Sequence, residues 1–113
     1  MIHLRTTRRT ELVHVTDEVA RIVAASECKS GVCHLYVPHT TAAVIVNEGY
    51  DPDVHAEGNS DSHIKTAMCG SSETIWIENG QLALGRWQVI FFFEFDGPRR
   101  RELRVKIVPD APA

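Results

Sequence analysis

The sequence predicts an α+β fold: a β-rich sandwich with two or so helices, folded as one domain over residues 1–113. Three observations lead there. Most apolar runs are short and rich in β-branched and aromatic residues, the pattern of pleated, half-buried strands. Only one stretch, "TDEVARIVAAS" (16–26), carries a clear helical period. With 113 residues, 43% of them hydrophobic, the chain can bury one core but hardly two.

The elements follow in order. "MIHLRTT" and "ELVHV" alternate loosely and read as strands. In the helix that follows, Thr16 is the expected N-cap, and Asp17 and Glu18 place negative charge in the first turn. Val15, Val19, Ile22 and Val23 share one face, and Gly31 marks the exit. "VCHLYV" (32–37) and "AAVIVNE" (42–48) are strands separated by the polar break "PHTT". A second helix is expected over about Ser62–Cys69, capped by Asp61 or Ser62 and ended by Gly70. "ETIWIENGQLAL" (73–84) reads as a hairpin, because Asn79-Gly80 supplies two residues that tolerate positive φ. "RWQVIFFFEFDGP" (86–98) predicts a strand buried on both faces, with a turn at Asp96-Gly97-Pro98. The run Val89–Phe93 then needs a second layer or another subunit, so a homo-oligomer is expected. In "RRELRVKIV" (100–108), Leu103, Val105 and Ile107 face inward and Arg104 and Lys106 outward. The tail is expected to fray.

Several function classes are disfavoured. A net charge of −3 argues against nucleic-acid binding. No run approaches the ~18 apolar residues of a membrane helix, and the first residues lack the apolar core of a signal peptide. Cys28, Cys33 and Cys69 form no CxxC pair, so reduced thiols and a cytoplasmic location are expected.

The chemistry concentrates in "VHAEGNSDSHIK" (54–65) and in "PHTT". His39 stands beside Thr40 and Thr41, and His55 and His63 flank the polar loop. Three neutral imidazoles and a water make an open zinc site, although the spacing here is not diagnostic. His3, His14 and His34 sit in strand-like runs and read as ordinary. Glu48 ends a strand, and Glu57 and Asp61 lie in the loop. Asp61 is most simply a helix cap, but either loop acid could orient a metal-bound histidine or act as a general base. Ser60, Ser62, Lys65 and the backbone near Gly58 offer donors to a phosphate, without a P-loop pattern. Arg99, Arg100 and Arg101 read as a solvated charge run, with an anionic substrate as the lesser reading.

Three blocks, "VPHTTAAVIVNEGYDPDV", "HAEGNSDSHIKTAMCGSS" and "ENGQLALGRWQVIFFFEFDGPRRR", closely resemble the YjbQ-like family, described as secondary thiamine-phosphate synthases. The resemblance runs from about residue 2 to residue 108. It implies a compact sandwich with a jelly-roll-like sheet arrangement, assembled as a homotrimer around a polar pocket. Carried over by motif, His39, His55 and His63 would hold a divalent metal, zinc by ligand type, with Mg²⁺ accompanying a diphosphate. Thr40, Thr41, Asn47, Asn59, Ser60, Ser62 and Lys65 would meet phosphate, and Glu48, Glu57 or Asp61 would act in catalysis. Trp87 or Tyr36 could wall the pyrimidine. The implied reaction joins hydroxymethylpyrimidine diphosphate to thiazole phosphate and releases pyrophosphate. A metal-dependent hydrolase and a non-catalytic binder of small phosphorylated molecules are the alternatives. There is one departure: related sequences carry a helical segment between the "DPDV" and "HAEGNSD" blocks, whereas here Val54 runs directly into His55.

Overall fold

A computed structural model describes residues 1–49 and 70–111. In order these form β1 (Ile2–Arg5), β2 (Glu11–His14), α1 (Thr16–Ser26), β3 (Ser30–Tyr36), β4 (Ala42–Glu48), β5 (Ser72–Glu78), β6 (Gln81–Leu82), β7 (Gln88–Glu94) and β8 (Arg100–Pro109). The strands make two antiparallel sheets, one ordered β1-β8-β3-β5-β6 and the other β2-β7-β4. The fold is therefore the expected sheet-rich α+β type, with one helix among the described residues. The second expected helix, about Ser62–Cys69, lies outside them.

The main core lies between the sheets and under α1. Val19 and Val23 of the helix meet Leu35, Val44, Ile77, Ile90, Phe92 and Leu103 there. β7 is buried on both faces, as its sequence predicts. Ile90 and Phe92 enter the main core, and Val89, Phe91 and Phe93 join Ala43 and Ile45 in a second cluster. Both clusters are buried within the single chain.

The start of α1 differs from expectation. Val15 occupies the N-cap position, and no side chain caps the helix. The Thr16 hydroxyl instead accepts the Ile90 N–H at 2.8 Å, fastening the helix to β7. A long-range donor has outcompeted the local cap. At the other end, Glu27 takes a left-handed conformation (φ 60°) and its N–H reaches the Ala24 carbonyl. Gly31 is not the exit but a strand residue, and a Cβ there would stand 2.3 Å from the Val108 carbonyl oxygen. The Asn79-Gly80 turn is as expected: both φ values are positive, 54° and 78°, and Glu78 pairs with Gln81 across it. Along β8 the expected alternation holds, with Leu103 buried and Arg104 and Lys106 exposed.

One buried ion pair joins the two sheets. Glu94 at the end of β7 is fully buried, and Arg101 of β8 is 6% exposed. The Arg101 Nε donates to Glu94 Oε1 at 2.9 Å. The Thr6 hydroxyl donates to the same oxygen at 2.6 Å, and the Asp96 N–H reaches Oε2 at 3.1 Å. Burial alone would raise the Glu94 pKa. The hydrogen bonds from Arg101, Thr6 and Asp96 and the guanidinium charge outweigh it, and hold the carboxyl at about 2 instead of 4.5.

A carboxyl depressed in the folded state stabilises the fold above its unfolded pKa, and that contribution fades as pH falls toward about 2. Glu94→Gln should therefore cost about 3–5 kcal/mol at neutral pH, because the buried guanidinium loses its partner charge. The deficit should shrink at about pH 3. Urea unfolding of both proteins at the two pH values checks this.

Candidate functional site

β3 ends because of its sequence. Pairing with β5 continues to the Val37 N–H, which reaches the Ser71 carbonyl at 2.8 Å. Pro38 follows and has no N–H to continue the ladder. The chain turns through His39, Thr40 and Thr41 and enters β4. This turn is pinned at three points. The Glu102 N–H donates to His39 Nε2 at 3.0 Å. The Arg101 Nη2 donates to Thr41 Oγ1 at 2.7 Å. The Phe95 N–H donates to the Thr41 carbonyl at 3.1 Å.

These bonds decide what the turn can offer. A backbone N–H can only donate, so His39 Nε2 must accept, and the ring proton sits on Nδ1. His39 is thus presented as a hydrogen-bond donor, beside the exposed Thr40. A metal needs a free nitrogen lone pair, and in this arrangement His39 has none. The zinc reading does not fit His39 as placed. Among the described residues, no group of three or more His, Cys, Asp or Glu side chains could hold a metal ion.

Asn47 and Glu48 stand elsewhere. Thr41 immediately precedes β4 and Glu48 ends it, so they are seven residues of extended chain apart, about 23 Å. The Asn47 Oδ1 accepts the Glu48 N–H at 2.7 Å, and neither residue joins the His39 corner. The proposed ligands His55 and His63, the acids Glu57 and Asp61, and the phosphate-side residues Asn59, Ser60, Ser62 and Lys65 lie outside the described residues. Among the described residues His34 and His14 behave as ordinary strand residues. His34 Nδ1 meets the Thr74 hydroxyl at 3.0 Å, and His14 Nε2 meets Thr16 at 2.9 Å. Tyr36 is 48% exposed, and Trp87, at 52%, has the Arg86 guanidinium 4.9 Å from its ring centroid.

Reading "RRR" as one solvated run holds for two of the three. Arg99 is exposed and pairs with Asp96, and Arg100 is exposed opposite Arg5. Arg101 is the exception, buried against Glu94. A signal for it existed: Glu94 interrupts the apolar run "IFFFEF", and a charge in a strand buried on both faces needs a countercharge. Arg101 stands seven residues on.

A fold of two antiparallel sheets, with a polar turn braced by a buried ion pair, finds its class in comparison with known proteins. The family model for UPF0047 protein YjbQ-like matches residues 1–57 and 54–110, and the chain belongs to that family. A UPF0047 protein of Methanocaldococcus jannaschii is 44% identical to this chain, covering 95% of it and 91% of the relative. YugU of Bacillus subtilis is 37% identical, covering 95% and 96%. A crystal structure of an uncharacterised YjbQ/UPF0047-family protein from Clostridium acetobutylicum is 40% identical, with a TM-score of 0.81 over 95% of this chain and 98% of that one.

The comparisons also bear on the Val54–His55 junction. The two family matches overlap there, at residues 54–57. Alignment with the M. jannaschii protein spans 126 positions, yet 95% of a 113-residue chain is about 107 residues. About 19 aligned positions therefore have no residue in this chain.

Two substitutions at His39 separate its roles. In His39→Gln, Oε1 can take the place of Nε2 and accept the Glu102 N–H, so stability should stay within about 0.5 kcal/mol of the parent. His39→Leu leaves that N–H unpaired and should cost about 1–3 kcal/mol. Chemical denaturation of the three proteins measures both differences.

Proposed function

We propose that the turn bearing His39, Thr40 and Thr41 handles the phosphate of a small phosphorylated substrate, in a reaction of the secondary thiamine-phosphate-synthase type. The observation that carries the reading is the Glu102 N–H bond to His39 Nε2. It leaves Nδ1–H and the Thr40 hydroxyl as donors, and donors suit an anion. The exposed Arg100 and its cross-strand neighbour Arg5 add positive charge on the adjoining part of β8 and β1.

In the proposed reaction the thiazole ring nitrogen attacks the methylene carbon of hydroxymethylpyrimidine diphosphate. The carbon–oxygen bond breaks, and pyrophosphate leaves with its electron pair. The nucleophile is a ring lone pair, so this step needs no general base. Positioning and charge are what the protein must supply. Mg²⁺ arriving with the diphosphate would supply charge neutralisation to the leaving group. A homotrimer and a cytoplasmic location belong to the same proposal, in line with the resemblance and with the unpaired, buried Cys28 and Cys33. Among the described residues no helix is long and apolar enough to cross a membrane. The distance of Glu48 from the turn tells against a metal-dependent hydrolase using it as base, and leaves a non-catalytic phospho-ligand binder as the second reading.

Purified protein given both substrates and Mg²⁺ should form thiamine monophosphate, detected by mass spectrometry. His39→Gln, which keeps the acceptor but removes the Nδ1–H donor, should lower the rate about tenfold or more. Absence of product above a heat-killed control would leave only the binding reading. Pyrophosphate titration calorimetry, with the same loss in His39→Gln, then tests that reading.

A further inference from the structure

At the opposite end of β4 from the His39 turn, a cleft of about 370 Å³ opens along β5. Its walls include Val46, Trp76, Leu84 and Gln88, together with the carboxylates of Glu73 and Glu78. Volume and mixed lining are those of a small-molecule site. The strand's alternation puts Glu73 there. It shares the inward-facing set of β5 with Ile75 and Ile77, which are 6% and 1% exposed. At the first inward position of the strand it is half-buried and lines the cleft together with Val46 and Leu84. Burial pushes its pKa up. Among the described residues no hydrogen bond or ion pair compensates it, and no basic side chain lines the cleft. Trp76, 66% exposed, adds the electron-rich face of an indole.

We propose that this cleft binds a small organic ammonium compound, its ammonium against Glu73 and its hydrocarbon body on Val46, Leu84 and the Trp76 ring. A half-buried carboxylate without a countercharge, beside an aromatic wall, favours an organic cation. A phosphorylated ligand is disfavoured by the two carboxylates. A chelated metal ion is disfavoured as well, since among the described residues no group of three or more His, Cys, Asp or Glu side chains could hold one. The site is separate from the proposed phosphate corner and does not rest on it.

The test uses the full chain carrying Trp87→Phe, so that Trp76 alone reports by fluorescence. The probes are phenethylammonium, its neutral counterpart phenethyl alcohol, and the anion 3-phenylpropionate. Expected are a saturable change with phenethylammonium, affinity about tenfold or more weaker for the alcohol, and no response to the anion. Glu73→Gln should weaken phenethylammonium by about tenfold or more and leave the alcohol unchanged. It should also melt no lower than its parent, because it removes an uncompensated, partly buried charge. Equal affinities for ammonium and alcohol, an unaltered ammonium affinity in Glu73→Gln, or no saturable response at about 10 mM would each overturn the proposal.

Discussion

The guanidinium of Arg101 joins parts of the chain that strand pairing alone leaves separate. Arg101 belongs to β8 of the five-stranded sheet, and its partner Glu94 belongs to β7 of the three-stranded one. Thr6 reaches the same carboxylate from the end of β1, and Arg101 also holds Thr41. Taking two charges out of water is costly, so such a pair persists only where hydrogen bonds complete it. Here they do: no buried side-chain nitrogen or oxygen among the described residues lacks a partner. The Thr41 tether and the neighbouring Glu102 N–H together set the His39 ring. The donor character of the proposed site is thus a consequence of how the sheets are joined.

What could be read from the sequence depended on range. The Asn79-Gly80 turn is local chemistry, because a tight hairpin needs two residues at positive φ and few types supply them. The burial of β7 was equally legible, since only a two-sided core accommodates Val89–Phe93. The N-terminus of α1 was misread because a second acceptor role for Thr16, toward Ile90, is invisible along the chain. Arg101 was misread for a related reason. Three adjacent arginines look alike in sequence, and the pleat sends only one of them inward to Glu94.

The same logic divides the expected site residues. "PHTT" and "VNE" lie close in sequence, but an extended strand converts that closeness into about 23 Å. Thr41 and Glu48 therefore serve different ends of the molecule. One end presents donors near arginines, and the other presents carboxylates in a cleft of mixed lining. Opposite charge preferences at two ends of one strand suit two different ligands better than one shared pocket. The relatives carry only family names, so the chemistry must come from these residues themselves.

The most direct test of this account is the tautomer of His39, read from long-range ¹H–¹⁵N correlations of its imidazole in the folded protein. The account predicts a proton on Nδ1 and an accepting Nε2, unchanged when zinc is added. A ring protonated on Nε2, or one whose nitrogen signals move on zinc addition, would contradict it.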